Sequence, residues 1–204
     1  MRTITEQETF WAGEFGNAYT DRNQVIPVQR QPFFAQILSQ MEAVQTVCEL
    51  GANRGHNLAA IAALNPQLQL TGVEINPIAW AALKQVCGES AIQTSIQDFY
   101  PQEPFDWVFT CGVLIHLNPD DLPRVYQKLY QLSNRYILIN EYFNPTPVEL
   151  NYRGNTGKLF KRDFAGEFLA AHGDRVRVVN YGFLWQVMHP SWDNTVWTLL
   201  EKVA

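Results

Sequence analysis

Val44-Gln45-Thr46-Val47-Cys48-Glu49-Leu50-Gly51-Ala52-Asn53-Arg54-Gly55-His56-Asn57 decides how this chain folds. Val44 to Leu50 is apolar, partly β-branched and stopped by Gly51, which predicts a buried strand. From about Gly55 the spacing changes: Leu58, Ile61, Ala62 and Leu64 recur at helical intervals until Pro66 closes the run. A strand therefore passes into a helix through Gly51-Ala52-Asn53-Arg54-Gly55. Gly51 and Gly55 let the backbone approach a ligand closely, and Asn53 is among the few other residues that tolerate a left-handed conformation. Glu49, at the carboxyl end of the strand, sits beside whatever rests on that loop.

A second apolar strand, Leu68 to Val73, ends in Glu74, and Ile75-Asn76-Pro77 opens another helix. An acidic residue about 20 positions past the loop, at the tip of the second strand, is where nucleotide-binding α/β folds hold ribose hydroxyls. A carboxylate can accept from two hydroxyls at once. The blander reading of Glu74, a charge at a helix N-terminus, accounts for less of the strand-helix-strand context.

Working outward, the N-terminal stretch Thr5 to Asn23 begins with a capping-box pattern, Thr5-Glu6-Gln7-Glu8. It continues with Phe10, Trp11 and Phe15 interleaved with Gly13 and Gly16, either an amphipathic cap or a lid with Tyr19, Arg22 and Asn23 as its polar contacts. A helix from about Gln31 to Met41 precedes the first strand. Beyond Glu74 the pattern predicts a helix from about Pro77 to Val86 and a short strand from Ala91 to Thr94. Strands at Phe105–Thr110 and Tyr136–Asn140 flank a helix capped by Asn118-Pro119-Asp120-Asp121 and running to about Leu132. An irregular stretch to about Lys158, a helix from about Arg162 to Ala171, and strands at about Arg175–Tyr181 and Asn194–Glu201 complete the chain. The last two strands, joined by a loop, are expected to form an antiparallel pair at one edge.

Alternating β and α elements with short connections predict a parallel sheet with helices on both faces, its ligand crevice at the carboxyl ends of the strands. At 204 residues, without repeats or a linker, the chain is expected to be a single domain, residues 1–204, with a cap over 1–30 and a core over 31–204. Hydrophobic residues make up 47% and charged residues 17%, which excludes a disordered chain. The net charge of −5, without a basic block, argues against nucleic acid as a partner. Cys48, Cys87 and Cys111 lack metal or redox spacing and read as buried small hydrophobes of a reducing compartment. With no signal-peptide pattern and no long apolar run, the expected location is cytoplasmic, with no membrane contact.

The residues so assembled resemble the class I S-adenosylmethionine-dependent methyltransferases. Glu49-Leu50-Gly51-Ala52-Asn53-Arg54-Gly55 resembles their first motif, Glu74 their ribose-binding acid, and the Phe105-Asp106 strand leading to His116 their fourth motif. Many members have Gly where this chain has Asn53. More narrowly, the chain is similar to the pseudaminic acid biosynthesis-associated methylases. That similarity lies in Phe10-Trp11-x-Gly13-Glu14-Phe15-Gly16-x-x-Tyr19-x-x-Arg22-Asn23, Gly112-Val113-Leu114-Ile115-His116, Glu141-Tyr142-Phe143 and Tyr152-Arg153-Gly154. The resemblance implies a Rossmann-like, mostly parallel seven-stranded sheet with an antiparallel edge strand and an N-terminal helical lid.

It also implies S-adenosyl-L-methionine as cofactor, S-adenosyl-L-homocysteine as product, and no metal. Glu49, Gly51, Ala52, Asn53, Gly55, Glu74, Ile75, Ser95, Ile96, Gln97 and Cys111 are then the cofactor-side residues, with Ser95, Ile96 and Gln97 bordering the adenine. Tyr19, Arg22 and Asn23 cover the methionyl end, Arg22 gripping its carboxylate as a bidentate fork. His116 is the candidate for orienting the acceptor or taking its proton, against a structural histidine at a helix start. Glu141 and Tyr142 are candidates beside it, against a carboxylate pinned to Arg153 or Lys158. Trp11, Tyr19, Tyr152 and Arg153 are expected to contact the acceptor, while Trp185, Trp192 and Trp197 read as packing. The expected activity is methyl transfer to an oxygen or nitrogen of a small polar metabolite, a sugar derivative or an amine, by a monomer or homodimer. The alternative is a non-catalytic module that binds the same cofactor.

Overall fold

The computed structural model describes residues 2–23 and 25–203; Met1 and Gln24 of the cap and Ala204 of the core lie outside the described residues. Seven strands form one sheet: β1 (Thr46–Leu50), β2 (Gln69–Glu74), β3 (Ala91–Gln93), β4 (Phe105–Cys111), β5 (Ser133–Glu141), and the two C-terminal strands Val176–Leu184 and Thr195–Lys202. The first five are parallel, in the order β3-β2-β1-β4-β5, so β1 and β4 lie side by side and the order reverses between them. The Thr195–Lys202 strand then pairs antiparallel with β5, and Val176–Leu184 lies outermost. The expected sheet is thus observed, with its antiparallel strand one place in from the margin.

Alternate residues of the central strands point to opposite faces, as the pleat requires. Cys48, Val108, Ile137 and Ile139 meet the helices α6 (Leu122–Leu132) and α7 (Phe164–His172) on one face. Val47, Trp107, Phe109 and Leu138 meet α3 (Gln31–Leu38), α4 (His56–Leu64) and α5 (Pro77–Cys87) on the other. Phe34, Ile37, Leu58 and Ile61 are fully buried there, each contributing about 1.5–3 kcal/mol of apolar burial. Trp192 and Trp197 belong to this core, whereas Trp185 is half exposed.

The N-terminal stretch forms α1 (Glu6–Ala12) and α2 (Glu14–Arg22), separated at Gly13, which is extended at φ −95° and ψ −157°. The Thr5 hydroxyl accepts from the Glu8 amide at 3.1 Å and the Glu8 carboxylate accepts from the Thr5 amide at 2.8 Å, completing the capping box. Asn76 ties these helices to the sheet: its Oδ1 caps α5, and its Nδ2 donates to the Trp11 carbonyl at 3.0 Å and Asn17 Oδ1 at 2.8 Å. Gly16 permits that approach, since a Cβ there would stand 1.8 Å from the Trp11 carbonyl oxygen.

The stretch read as irregular is a hairpin, β6 (Val148–Tyr152) against β7 (Asn155–Lys161). Its turn is Arg153-Gly154, both at positive φ (52° and 86°), the backbone of a tight two-residue hairpin loop. The usual signal there is Asn-Gly or Asp-Gly, and Arg153 masks it. With the two C-terminal strands now labelled β8 (Val176–Leu184) and β9 (Thr195–Lys202), the remaining differences are shifts of a few residues at element ends.

Candidate active site

A cavity of about 580 Å³ opens at the carboxyl ends of β1, β2, β4 and β5, roofed by α1, α2 and the β6–β7 hairpin. Its floor is the β1–α4 turn, where Gly51, Asn53 and Gly55 have φ of 76°, 49° and 78°. A Cβ on Gly51 would come within 2.6 Å of the Val113 side chain, so this loop and the one after β4 pack only because residue 51 is glycine. Gly55 is set back from the cavity, under Leu83 and Val86.

Glu74 lies at the end of β2 with Oε2 accepting from the Asn53 amide and Oε1 from the Asn76 amide, both at 2.7 Å. Burial pushes its carboxyl above the ordinary range, against those amides. A carboxylate has about four acceptor sites, so these bonds leave room for hydroxyl donors. Glu49 is buried at the end of β1, where Oε1 accepts from Asn57 Nδ2 at 2.5 Å and Oε2 has no partner. Burial pushes its carboxyl up to about 8, against the Asn57 bond and nearby Arg30.

Arg30 is a site residue that sequence reasoning missed. Its Nη1 donates to Asn57 Oδ1, its Nη2 to the Ser191 carbonyl at 3.1 Å, and its guanidinium lies 4.2 Å over the Trp192 ring. Its Nε is buried without a partner. Asn57 thereby links a cation to the Glu49 carboxylate at the cavity wall. Arg30 follows Pro27-Val28-Gln29, which carries no motif, and its partners are 27 and 161 positions away.

On the β3 side, Ser95 donates to Glu8, and Gln97 Nε2 donates to Asp121 at 3.0 Å while its Oε1 is buried and unpartnered. Arg2 joins Glu8 and Asp98, latching α1 onto this turn. Burial alone would raise Glu8; bonds from Arg2, Ser95 and Thr5 instead hold it down to about 2. Ile75, Ile96, Cys111 and Ala52 line the same half, and Asn23 Nδ2 donates to the Tyr19 hydroxyl at 3.3 Å. Arg22 lines the cavity from an exposed position, 5.7 Å over Phe15.

The other half is aromatic. Trp11 meets Tyr19, His116 and Tyr152 at ring-centroid distances of 5.2, 4.3 and 6.2 Å. Arg153 and Tyr142 also line the wall. Burial, then the Asp193 contact, pushes the Tyr142 phenol far above its ordinary value. His116 Nδ1 lies 2.7 Å from the Lys158 carbonyl oxygen. A carbonyl only accepts, so Nδ1 carries the proton and Nε2 keeps its lone pair. Burial lowers the imidazole to about 4, despite the Lys158 bond, so it is neutral at pH 7.

Glu141 is not brought to the cavity. It is buried beneath the Gly112–Leu117 loop, its Oε1 accepting from the Val113 and Leu114 amides at 3.0 and 3.1 Å, and it pairs with neither Arg153 nor Lys158. Lys158 instead reaches Glu6 of α1 at 2.5 Å. His56 lines the cofactor half; His172 is buried on the Phe168 carbonyl, and His189 is exposed.

Several polar atoms around the cavity lack partners among the described residues: Trp11 Nε1, Arg30 Nε, Glu49 Oε2, Gln97 Oε1 and Asn140 Oδ1. The carboxyl oxygen of Glu49 and the amide oxygens of Gln97 and Asn140, with Glu74 beside them, suit a ligand bearing an ammonium, hydroxyls and an amino group, the donor set of S-adenosylmethionine. Among the described residues, no group of three or more His, Cys, Asp or Glu is placed to hold a metal ion.

Residues 48–135 match the family model of a methyltransferase domain. No curated protein matches the chain. Among solved structures, it is similar to Burkholderia thailandensis 1,6-didemethyltoxoflavin-N1-methyltransferase with bound 1,6-didemethyltoxoflavin and S-adenosylhomocysteine (16% identity, TM-score 0.70, covering 100% of this chain and 93% of that one). It is also similar to magnesium protoporphyrin IX methyltransferase of Synechocystis PCC 6803 with S-adenosylhomocysteine (13%, 0.67, 97% and 100%). A third is a Leishmania major S-adenosylmethionine-dependent methyltransferase (15%, 0.67, 98% and 87%). At these identities the likeness is one of fold. A methyltransferase domain is thus matched from β1 into β5, and the fold around it is that of the class I methyltransferases.

Proposed function

We propose that the enzyme methylates an oxygen or nitrogen of a small polar metabolite, a sugar derivative or an amine, in a biosynthetic pathway. The sequence similarity to the pseudaminic acid biosynthesis-associated methylases motivates that choice of acceptor. The observation that carries the reading is His116, neutral and fixed in one tautomer, in an aromatic chamber continuous with the glycine turn. The two named enzymes above are methyltransferases of small molecules, 1,6-didemethyltoxoflavin and magnesium protoporphyrin IX.

In this reading Glu74 accepts the ribose hydroxyls, and Ser95, Ile96 and Gln97 border the adenine. Glu49 meets the ammonium of the methionyl end, and Arg30 rather than exposed Arg22 meets its carboxylate. When bound, S-adenosylmethionine would supply an electrophilic methyl group, its C–S bond breaking to leave the thioether of S-adenosylhomocysteine as the acceptor's lone pair bonds to the methyl carbon. Trp11, Tyr19 and Tyr152 exclude water and confine the acceptor's approach. His116 Nε2 accepts a hydrogen bond from the attacking group. For a hydroxyl, the proton becomes strongly acidic as the new C–O bond forms, and even a weakly basic imidazole can take it. An amine needs only to arrive unprotonated.

Calorimetric titration with S-adenosylmethionine and S-adenosylhomocysteine, followed by an acceptor screen read by S-adenosylhomocysteine release, tests this. Micromolar binding and turnover on a sugar derivative or amine are expected. Binding with turnover only on a protein or nucleic acid would overturn the acceptor assignment.

A further inference from the structure

We infer that Glu141 is a positioning residue that sets His116 by holding the loop between them. This rests on the assignment of His116 to the acceptor site, and its test does not depend on turnover.

The loop after β4 leaves the sheet at Cys111 and passes through Gly112, at φ 66°. It reaches His116 by a single 3-10 turn, Leu114–His116. Such a turn satisfies few of its own amides. The Gly112 amide goes to the Asn140 carbonyl at 2.9 Å, and the His116 and Leu117 amides close the turn on Val113 and Leu114 carbonyls. The Val113 and Leu114 amides have no backbone acceptor in the turn, and both donate to Glu141 Oε1 at 3.0 and 3.1 Å. Glu141 is the last residue of β5, hydrogen-bonded to β9 through the Glu141–Val196 register, so its side chain is mounted on the sheet. One carboxylate oxygen therefore fixes the start of the turn to the central sheet.

The imidazole is held at its far end as well. His116 Nδ1 donates to the Lys158 carbonyl of β7, and the ring packs against both Trp11 and Tyr152. The Lys158 bond selects the tautomer, but it forms only if the turn presents the ring at the right height. An unanchored turn would leave two buried amides unpaired, at about 1–3 kcal/mol each, and would reopen toward water to satisfy them. Glu141 Oε2 and the Thr110 hydroxyl are buried side by side without other partners. Glutamine fits that position: its oxygen can accept both amides and its NH2 can donate to Thr110. Alanine supplies no acceptor, and aspartate is one methylene short.

The test is the state of His116 in Glu141→Gln, Glu141→Ala and Glu141→Asp, read by long-range 15N–1H spectra of the full chain without cofactor. His116→Phe identifies the resonance. In the parent and in Glu141→Gln, His116 at pH 7 should show the Nδ1-protonated neutral pattern. In Glu141→Ala it should become a tautomeric mixture titrating closer to the ordinary 6.5 than to about 4. If Glu141→Ala does not fold, Glu141→Asp carries the same expectation. Calorimetry on the parent separately reports cofactor binding, whose failure would strike the proposed function and not this inference. A parent-like His116 in a folded Glu141→Ala or Glu141→Asp overturns it, as does a Glu141→Gln protein in which His116 behaves as in Glu141→Ala.

Discussion

Glu74 and His116 divide the labour of the cavity, and substitutions should separate them. Glu74 is held by two loop amides on one side and opens to the cavity on the other. Glu74→Ala removes the acceptor for the ribose hydroxyls and releases Asn53 and Asn76. S-adenosylhomocysteine should then bind at least tenfold more weakly, about 1.4 kcal/mol; an unchanged dissociation constant would remove Glu74 from the cofactor site. His116→Asn should leave that constant within about threefold of the parent. Steady-state turnover on the identified acceptor should fall about 10²-fold or more, the typical contribution of a positioned proton acceptor. Full turnover would reduce His116 to a packing residue. Arg22 and Arg30 form a third comparison: Arg30→Met is expected to weaken S-adenosylhomocysteine tenfold and Arg22→Met less than threefold. The reverse order would return the carboxylate to Arg22, where the sequence resemblance places it.

Elements bring these residues together, and Gly16 carries that dependence for the cap. Gly16→Ala would set a Cβ 1.8 Å from the Trp11 carbonyl oxygen and 2.8 Å from Asn76 Nδ2. Backbone cannot yield that far, so α2 must lift from Asn76, which itself caps α5 beside Glu74. A loss of 1–3 kcal/mol, the usual range for overpacking, is expected in denaturant unfolding, together with weaker S-adenosylhomocysteine binding. Parent-like values for both would mean that the cap is not seated on Asn76. The same scale shows what could be read without coordinates. The glycine turn, Glu74, the capping box and the alternating strands are local patterns, set by a few consecutive residues, and were legible. The β6–β7 hairpin was hidden because Arg153 occupies a turn position that usually advertises itself with Asn or Asp. Arg30 was hidden because its role depends on Asn57 and Ser191, and Glu141 because nothing local tells a carboxylate facing a ligand from one facing two amides under a loop.

For the whole molecule, the site's buried titratable groups give stability a signed pH dependence. Burial raises Glu49 from an ordinary 4.5 to about 8 and Glu141 to about 7, so the folded protein holds protons there that the unfolded chain releases. By linkage, each makes stability fall as pH rises from 4.5 toward its folded value, by up to about 1.4 kcal/mol per pH unit. His56 and His116 act oppositely: burial lowers both from 6.5 to about 4. The folded protein binds fewer protons than the unfolded chain between those values, and stability rises with pH there. The histidines offset the carboxylates only in part below about pH 6.5, because His56 is half exposed and solvent screens its share; above that pH only the carboxylates remain. The midpoint of thermal unfolding, measured without cofactor, should therefore be lower by several degrees at pH 8 than at pH 6.5. Repulsion within a chain of net charge −5 would push the same way, so a Glu49→Gln, Glu141→Gln double variant is the control: it should lose most of the fall. S-adenosylhomocysteine offers a second control. If its ammonium meets Glu49, binding favours the ionised carboxylate, releases a proton below pH 8 and flattens the fall. Its affinity should then rise between pH 6.5 and 8. A midpoint that holds steady or climbs across that interval would mean that Glu49 and Glu141 are already ionised in the free protein, and that the ammonium meets a charge in place before it arrives.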